Sequence, residues 1–314
     1  MSDVRRHIAI MAGCVVLFVA LVYSPSLQNT FVNWDDDVHL LNNPFVQSLD
    51  GEGLRDILTT TVITYIPLTS LSFAIEYHFF KVHPFIYHLD NLLLHLSVTV
   101  MVLLFALRCG LSLRAAFLAA LVFGVHPLHV ESVAWVTERK DVLYAFFYML
   151  ALICYGQYLT SRRVPDGMTR EGIPKQWLFV LTMVFGFLSI LAKPMAISLP
   201  LVLSVCDWFF RRKFSKRSLV EKAYCCIFMI PVAWVTYFPS LRAFDFQFPQ
   251  SFLVWVWSLT FYIRKFFYPD YFVLIYEVPR SPLTNPQYLF ALILLAGLVT
   301  SLCLFRKNRL FVFA

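Results

Sequence analysis

A succession of apolar runs, each near the length of a bilayer crossing, constrains this chain more than any single motif does. A spanning helix needs roughly 20 mostly apolar residues. The runs 8–24, 85–107, 114–136, 142–159, 177–192, 195–210, 223–238 and 288–305 meet or approach that length. A further run, 251–267, is aromatic and apolar but carries Arg264 and Lys265 near its end. Each would cost roughly 3 kcal/mol at the centre of a spanning helix. Hydrophobic residues make up 59% of the chain and charged ones 14%, where a soluble domain is about a quarter charged. The chain therefore reads as an all-α integral membrane protein, a single polytopic helical bundle over 1–314 with about eight or nine transmembrane helices.

The net charge of +7 reflects loop charges rather than nucleic-acid affinity, because in a membrane protein short loops carry orientation signals. Arg5 and Arg6, Arg108 and Arg114, Arg162, Arg163, Arg170 and Lys175 mark successive basic ends. Arg211 to Lys222 is the strongest basic run, and Arg306, Lys307 and Arg309 close the chain. All of these should be cytoplasmic, with both termini. The run 8–24 is long for a cleaved signal and Ser24-Pro25-Ser26 is a poor cleavage site, so it reads as an uncleaved signal anchor. The seven cysteines fall in or beside apolar runs without metal spacing, which suggests small packing residues rather than a disulfide framework.

The segment 24–86 reverses this charge pattern, with seven acids against Arg55 and Lys81. It should be a large first external loop, and it is too long for a plain connection. Within it, Pro67 to Phe80 has apolar residues at roughly helical spacing, which fits an amphipathic helix lying on the membrane. If both termini are inside, the spans are even in number. Eight then fit, with 251–267 as a re-entrant or interfacial helix. The costly polar residues gather in or beside the outer segments.

The most unusual of these are Asp35-Asp36-Asp37, after Trp34. Neighbouring acids diverge by roughly 100° along a helix or 180° along a strand, so at most one serves as a base while the others hold geometry, a cation or water. The competing reading is a solvated acidic boundary. A second group is His126-Pro127-Leu128-His129-Val130-Glu131, followed by Glu138, Arg139, Lys140 and Asp141. Pro127 should kink or end its helix. Ionisable residues at membrane depth point to function by default, and these could hold a phosphate, a sugar or a metal, or form a helix-end network. Lys193-Pro194 separates two apolar runs. Its lysine either snorkels to water or joins Arg139 and Lys140 in a phosphate pocket. His88, Asn91 and His95 share one helix face, which reads as a core hydrogen-bond network. Trp34, Tyr65, Tyr87, Trp135, Tyr268 and Tyr276 could stack on a sugar or isoprenoid, although each alone reads as structural.

Taken together these motifs resemble a known family. Phe31-Val32-Asn33-Trp34-Asp35-Asp36-Asp37, Asn42-Asn43-Pro44, Pro67-Leu68-Thr69, Tyr87-His88-Leu89 and Asn91-Leu92-Leu93-Leu94-His95 are similar to those of the transmembrane-and-TPR O-mannosyltransferases and their bacterial relatives. The run from His126 to Trp135, followed by Glu138 to Leu143, is the most specific match, with weaker echoes at Ala192-Lys193 and Pro269…Leu274…Tyr276. The resemblance implies a GT-C-like glycosyltransferase that uses a polyprenyl-phosphate-sugar donor and acts on a protein or glycan acceptor at the non-cytosolic face. It implies residence in a bacterial inner membrane, or in the ER membrane of a eukaryote. Asp35 and Asp36 match the family's acidic pair, with Asp36 expected as the base. His126, His129, Glu131, Arg139, Lys140 and Lys193 are assigned to the lipid phosphate and sugar, and Asp37, Trp34, Asp141 and Tyr276 to support. A divalent cation, if used, would fall to Asp35 and Asp37.

The chain departs from the family pattern with Ile66 before Pro-Leu-Thr and Pro194 after the lysine. The further membrane helices and TPR array that the resemblance leads one to expect are absent from this sequence, so it reads as a minimal catalytic unit, as one that needs a TPR-containing partner, or as a truncated, inactive form. Rival readings are a lipid-linked-substrate transporter and a non-catalytic scaffold. A transporter predicts internal symmetry, and no internal repeat is visible.

Overall fold

The computed structural model describes residues 2–161, 174–241, 249–273, 275–280, 283–305 and 307. Arg162, Arg163, Arg170, Leu274, Arg306 and Arg309, singled out above, lie outside the described residues. The described residues form helices and no β-strand. The chain divides into two units, Met1–Pro239 and Ser240–Ala314.

The first unit begins with α1 (Ser2–Tyr23). The loop that follows carries α2 (Pro44–Gln47), α3 (Gly51–Thr59) and α4 (Pro67–Phe80). Then come α5 (Pro84–Arg108), α6 (Leu113–Val125), α7 (Val130–Ala134), α8 (Arg139–Thr160), α9 (Lys175–Ala192), α10 (Leu199–Phe209) and α11 (Lys216–Leu241). The boundaries follow local chemistry. Asn43 caps α2 by accepting from Phe45 N, Asp50 caps α3 from Gly53 N, and Ser112 caps α6 from Ala115 N. Such side chains satisfy amides that have no partner in the first turn. Proline opens α2, α4 and α5, where its missing N–H costs nothing.

The core lies where α5 meets α1, α6 and α8. His88, Asn91, His95 and Thr99 recur on α5 at helical spacing and are all buried. This polar stripe is tied to other elements. His95 Nε2 meets the Gly124 carbonyl at 2.8 Å, and Asn91 Nδ2 donates to the Trp135 carbonyl at 3.0 Å. Gly124 is required by this close approach, since a Cβ there would lie 2.5 Å from a Val19 methyl. Loop 24–86 has an apolar cluster of its own, in which Leu40, Val46, Ile57, Phe73, Tyr87 and Val136 are buried. The helix expected over Pro67–Phe80 is present, and Thr69 Oγ1 donates to the Ala192 carbonyl at 3.0 Å, linking α4 to the end of α9.

Among the described residues six helices are long and apolar enough to cross a membrane, or seven if a bent pair is one span. All eight expected runs lie in helices, but two fall short of a continuous crossing. Run 114–136 divides at His126-Pro127 into two pieces bent by 48°, and Pro194–Phe209 is a shorter apolar helix. Both breaks have one cause. A residue before proline is driven from the helical region to extended backbone, and both His126 (φ −64°, ψ 131°) and Lys193 (φ −150°, ψ 129°) are extended. In the second unit α12 (Gln250–Phe267) packs against α13 (Pro286–Leu304) through Val256, Thr260, Tyr288 and Ala291. Of these two helices only α13 is apolar enough to span. Lys265 is buried and bonded to Asp270 and to the Tyr271 carbonyl.

Candidate active site

The short turn before α8 brings the first loop and the α9 end together. Lys140 Nζ lies 2.8 Å from Glu138 and 3.5 Å from Asp35. Lys193 Nζ lies 3.9 Å from Glu138 and is paired with Asp141, whose other oxygen accepts from Ser132 Oγ at 3.1 Å. Three carboxylates thus share two ammonium groups, leaving one excess negative charge. The side chains of Asp35 and Asp141 are each 26% exposed, so this chain of charges is reachable while shielded more than a surface pair. Beside it is a cavity of about 270 Å³ bounded by His95, Phe123, His129, Ser132, Asp141 and Lys193. That is close to the lower limit of roughly 300 Å³ for ligand pockets. The cavity suits a small polar group rather than a whole lipid-linked sugar. The His129 ring lies 4.5 Å from Phe123 and 5.6 Å from His95, giving the cavity an aromatic wall.

Asp36 stands in a different position from the one its expected role requires. It is fully buried, with Oδ1 accepting from Thr137 N at 3.0 Å and Oδ2 from Val32 N at 2.8 Å. A carboxylate held by two backbone amides is a clamp: it fixes the first loop against the turn before α8, and so places Asp35 beside Lys140. Asp37 begins a wide π-turn over Asp37–Leu41, and Trp34 is half exposed. His39 in that turn is buried, and burial together with Lys140 lowers its pKa, against the opposite pull of Asp35 and Asp36.

Arg139 also departs from its expected place as a phosphate ligand. Its guanidinium is buried, with Nε donating to Asn91 Oδ1 at 2.8 Å, one amino group paired with Glu76 and the other donating to the Tyr87 carbonyl at 2.7 Å. It stacks over Phe73 at 4.8 Å. A cation committed in this way ties α4, α5 and α8 together, whereas Lys140 and Lys193 remain partly exposed in the ion chain. His126 caps the turn after α6, its Nδ1 accepting from Leu128 N at 3.2 Å, and Glu131 is exposed away from the ion chain. Tyr276 belongs to the second unit, where its hydroxyl donates to the Tyr271 carbonyl at 3.1 Å. Among the described residues no group of three or more His, Cys, Asp or Glu converges as a metal site.

Sequence reasoning placed Glu138 in the candidate cluster without giving it a role, and passed over Ser132 and Glu76. Glu76 had a usable signal, since an acid within an apolar helix needs a buried partner. Ser132 had none.

Comparison with known proteins places this geometry in context. The chain is 32% identical over 236 residues to human protein O-mannosyl-transferase TMTC4, a match covering 67% of this chain and 31% of that protein. It is 30% identical over 217 residues to mouse protein O-mannosyl-transferase TMTC1, covering 63% and 22% respectively. It is 31% identical over 214 residues to Drosophila melanogaster protein O-mannosyl-transferase Tmtc1, covering 65% and 23%. The matched stretch is thus a third or less of each relative's length. No family model and no solved structure matches the chain.

Proposed function

Because the chain belongs to the TMTC-like O-mannosyltransferase family, we propose that it is a membrane glycosyltransferase moving a sugar, mannose by analogy with the relatives' names, from a polyprenyl-phosphate carrier to a protein hydroxyl. The carrying observation is the largely shielded ion chain in which Asp35, Lys140, Glu138, Lys193 and Asp141 meet at the end of an apolar helix, with Asp35 and Asp141 its most exposed members. Charge at a helix end in an apolar chain is costly, and a phosphate arriving from the bilayer would take Lys140 and Lys193 from the carboxylates that now hold them.

Asp35 is the base in this reading. It takes the proton of the acceptor hydroxyl as that oxygen bonds to the anomeric carbon. The carbon–phosphate oxygen bond breaks on the opposite side, its electron pair stays on the phosphate, and the sugar inverts. Lys193 and Lys140 face the charge gathering on the leaving phosphate, where charge-assisted bonds are strongest. His129 and Ser132 line the cavity beside them and orient the sugar. The site faces the non-cytosolic side, opposite the basic loops.

The test is transfer from synthetic polyprenyl-phosphate-mannose to acceptor peptides, with Asp35→Asn compared to wild type. The variant should lose about 10²–10⁴ in rate, the usual worth of a general base, with an unchanged thermal midpoint. Wild-type turnover in Asp35→Asn would overturn the assignment, and no turnover from any polyprenyl-phosphate sugar by wild type would overturn the reaction.

A further inference from the structure

The strongest basic run of the chain takes no part in that site. It forms the elbow between α10 and α11, at the opposite end of α8 from Asp141. The α10 end is closed by Arg212 N donating to the Asp207 carbonyl at 2.9 Å and by Arg211 N donating to the Trp208 carbonyl at 3.2 Å. Arg211 sits in the left-handed region at φ 59°, where glycine is the usual occupant. A cation is therefore held at this turn despite the backbone cost.

Inside the elbow the acids are already spoken for. Asp207 is bonded to Lys222 and accepts from Ser218 Oγ at 2.7 Å, while Glu221 is gripped by Arg212. Tyr155 and Tyr158 of α8 bond the same two acids at 2.6 Å each. No acid is left for the outer cations. Arg211, Lys213 and Lys216 are exposed and make no ion pair among the described residues, so positive charge is in clear excess.

Against this basic floor lies a cavity of about 320 Å³. Arg212, Ser218 and Lys222 line it together with Trp208, Phe214, Leu219 and Asp207, whose carboxylate is already bonded to Lys222 and Ser218, and the exposed Lys213 lies in the chain between lining residues Arg212 and Phe214. Phe214 is 85% exposed and Leu219 59%. A free anion would use the cations and hydroxyls and leave the apolar rim idle. A nucleic acid would need a broad polar face, which this narrow, apolar-edged cavity lacks. An amphiphile with an acidic head matches both halves.

We propose that the α10–α11 elbow is a binding site for an anionic glycerophospholipid, with its phosphate against Arg212, Lys213 and Lys216 and the start of an acyl chain against Phe214 and Leu219. Basic recesses between membrane helices are a recognised form of headgroup site. The bound lipid would join α10 and α11 to the end of α8.

The test reads lipid binding alone, so it stands or falls separately from the transferase reading. The full chain in phosphatidylcholine nanodiscs is titrated with phosphatidylglycerol while its thermal midpoint is followed. Lys213→Gln/Lys216→Gln is the variant, since both lysines are exposed and unpaired. Wild type should be stabilised by phosphatidylglycerol, and the double variant should need on the order of 30-fold more, a factor of about five for each cation near a headgroup. Phe214→Ser should also weaken the response. The proposal fails if the double variant responds as wild type does. It also fails if inorganic phosphate gives the same shift, which would mark a free-anion site. A larger shift from polyprenyl phosphate, lost in the double variant, would assign the elbow to the carrier lipid instead and overturn it.

Discussion

Asp36→Asn changes one charge and almost no volume, so it separates a clamp from a base. In the native chain both carboxylate oxygens accept backbone amides, Thr137 N at 3.0 Å and Val32 N at 2.8 Å. An asparagine can accept from only one of them. Its oxygen should turn to Thr137, which is 1% exposed, and its amino group to Val32, which is 45% exposed and can take water instead. The surviving bond loses its charge assistance and the other bond disappears. Bonds to charged groups are worth about 1.5–3 kcal/mol and neutral ones about 1 kcal/mol, so replacing two of the first by one of the second loses about 2–5 kcal/mol. At roughly 2–4 °C per kcal/mol for large domains, the thermal midpoint in detergent should fall by about 4–20 °C. Transfer should fall only as far as Asp35 is displaced, and lower temperature should restore part of it. An Asp36→Asn protein with a wild-type midpoint and no transfer at any temperature would refute the clamp and return the base to Asp36.

Arg139→Met should be among the most damaging single changes, costing about 3–5 kcal/mol, because it leaves Glu76 buried and uncompensated. Adding Glu76→Leu should recover much of that loss, and a double variant no more stable than Arg139→Met alone would refute the pairing; thermal unfolding measures both. His39 supplies a pH dependence. Its pKa is lowered in the folded chain, so the unfolded chain binds more protons below about pH 6.5, and this contribution to stability is complete above that value and lost as pH falls. Between about pH 7.5 and pH 5.5 the midpoint should drop less steeply in His39→Gln than in wild type, and equal slopes would remove His39 from the account.

What the sequence made legible was local. Runs of apolar residues marked the helices, and His126-Pro127 and Lys193-Pro194 marked two helix ends through the backbone preference of a residue before proline. Divergence of adjacent side chains predicted that only one of three acids could serve, but not which one. The resemblance named Asp36, and the contact that argues for Asp35 in its place is made by Thr137, which is 101 residues from Asp36. Arg139 was misplaced for a similar reason, since its partner Glu76 is 63 residues away on a helix that looked merely amphipathic. Partnerships made across such distances leave no periodic trace in the chain. Hydropathy alone also does not register the 48° bend at His126-Pro127 inside an apolar run.

The two polar ends of α8 also set a dimension. From Asp141 to Tyr155 is about 21 Å at 1.5 Å per residue, about 9 Å short of a hydrocarbon core roughly 30 Å thick. Tilt would shorten the projection further. Both ends are bound into their charge networks, so α8 cannot slide to favour one surface over the other. A bilayer matched to these two charge networks would thin around this helix, at a cost of fractions of a kcal/mol per Å. A lipid phosphate in such a dimple would already sit below its neighbours, level with Lys140 and Lys193, before any contact with the enzyme is made.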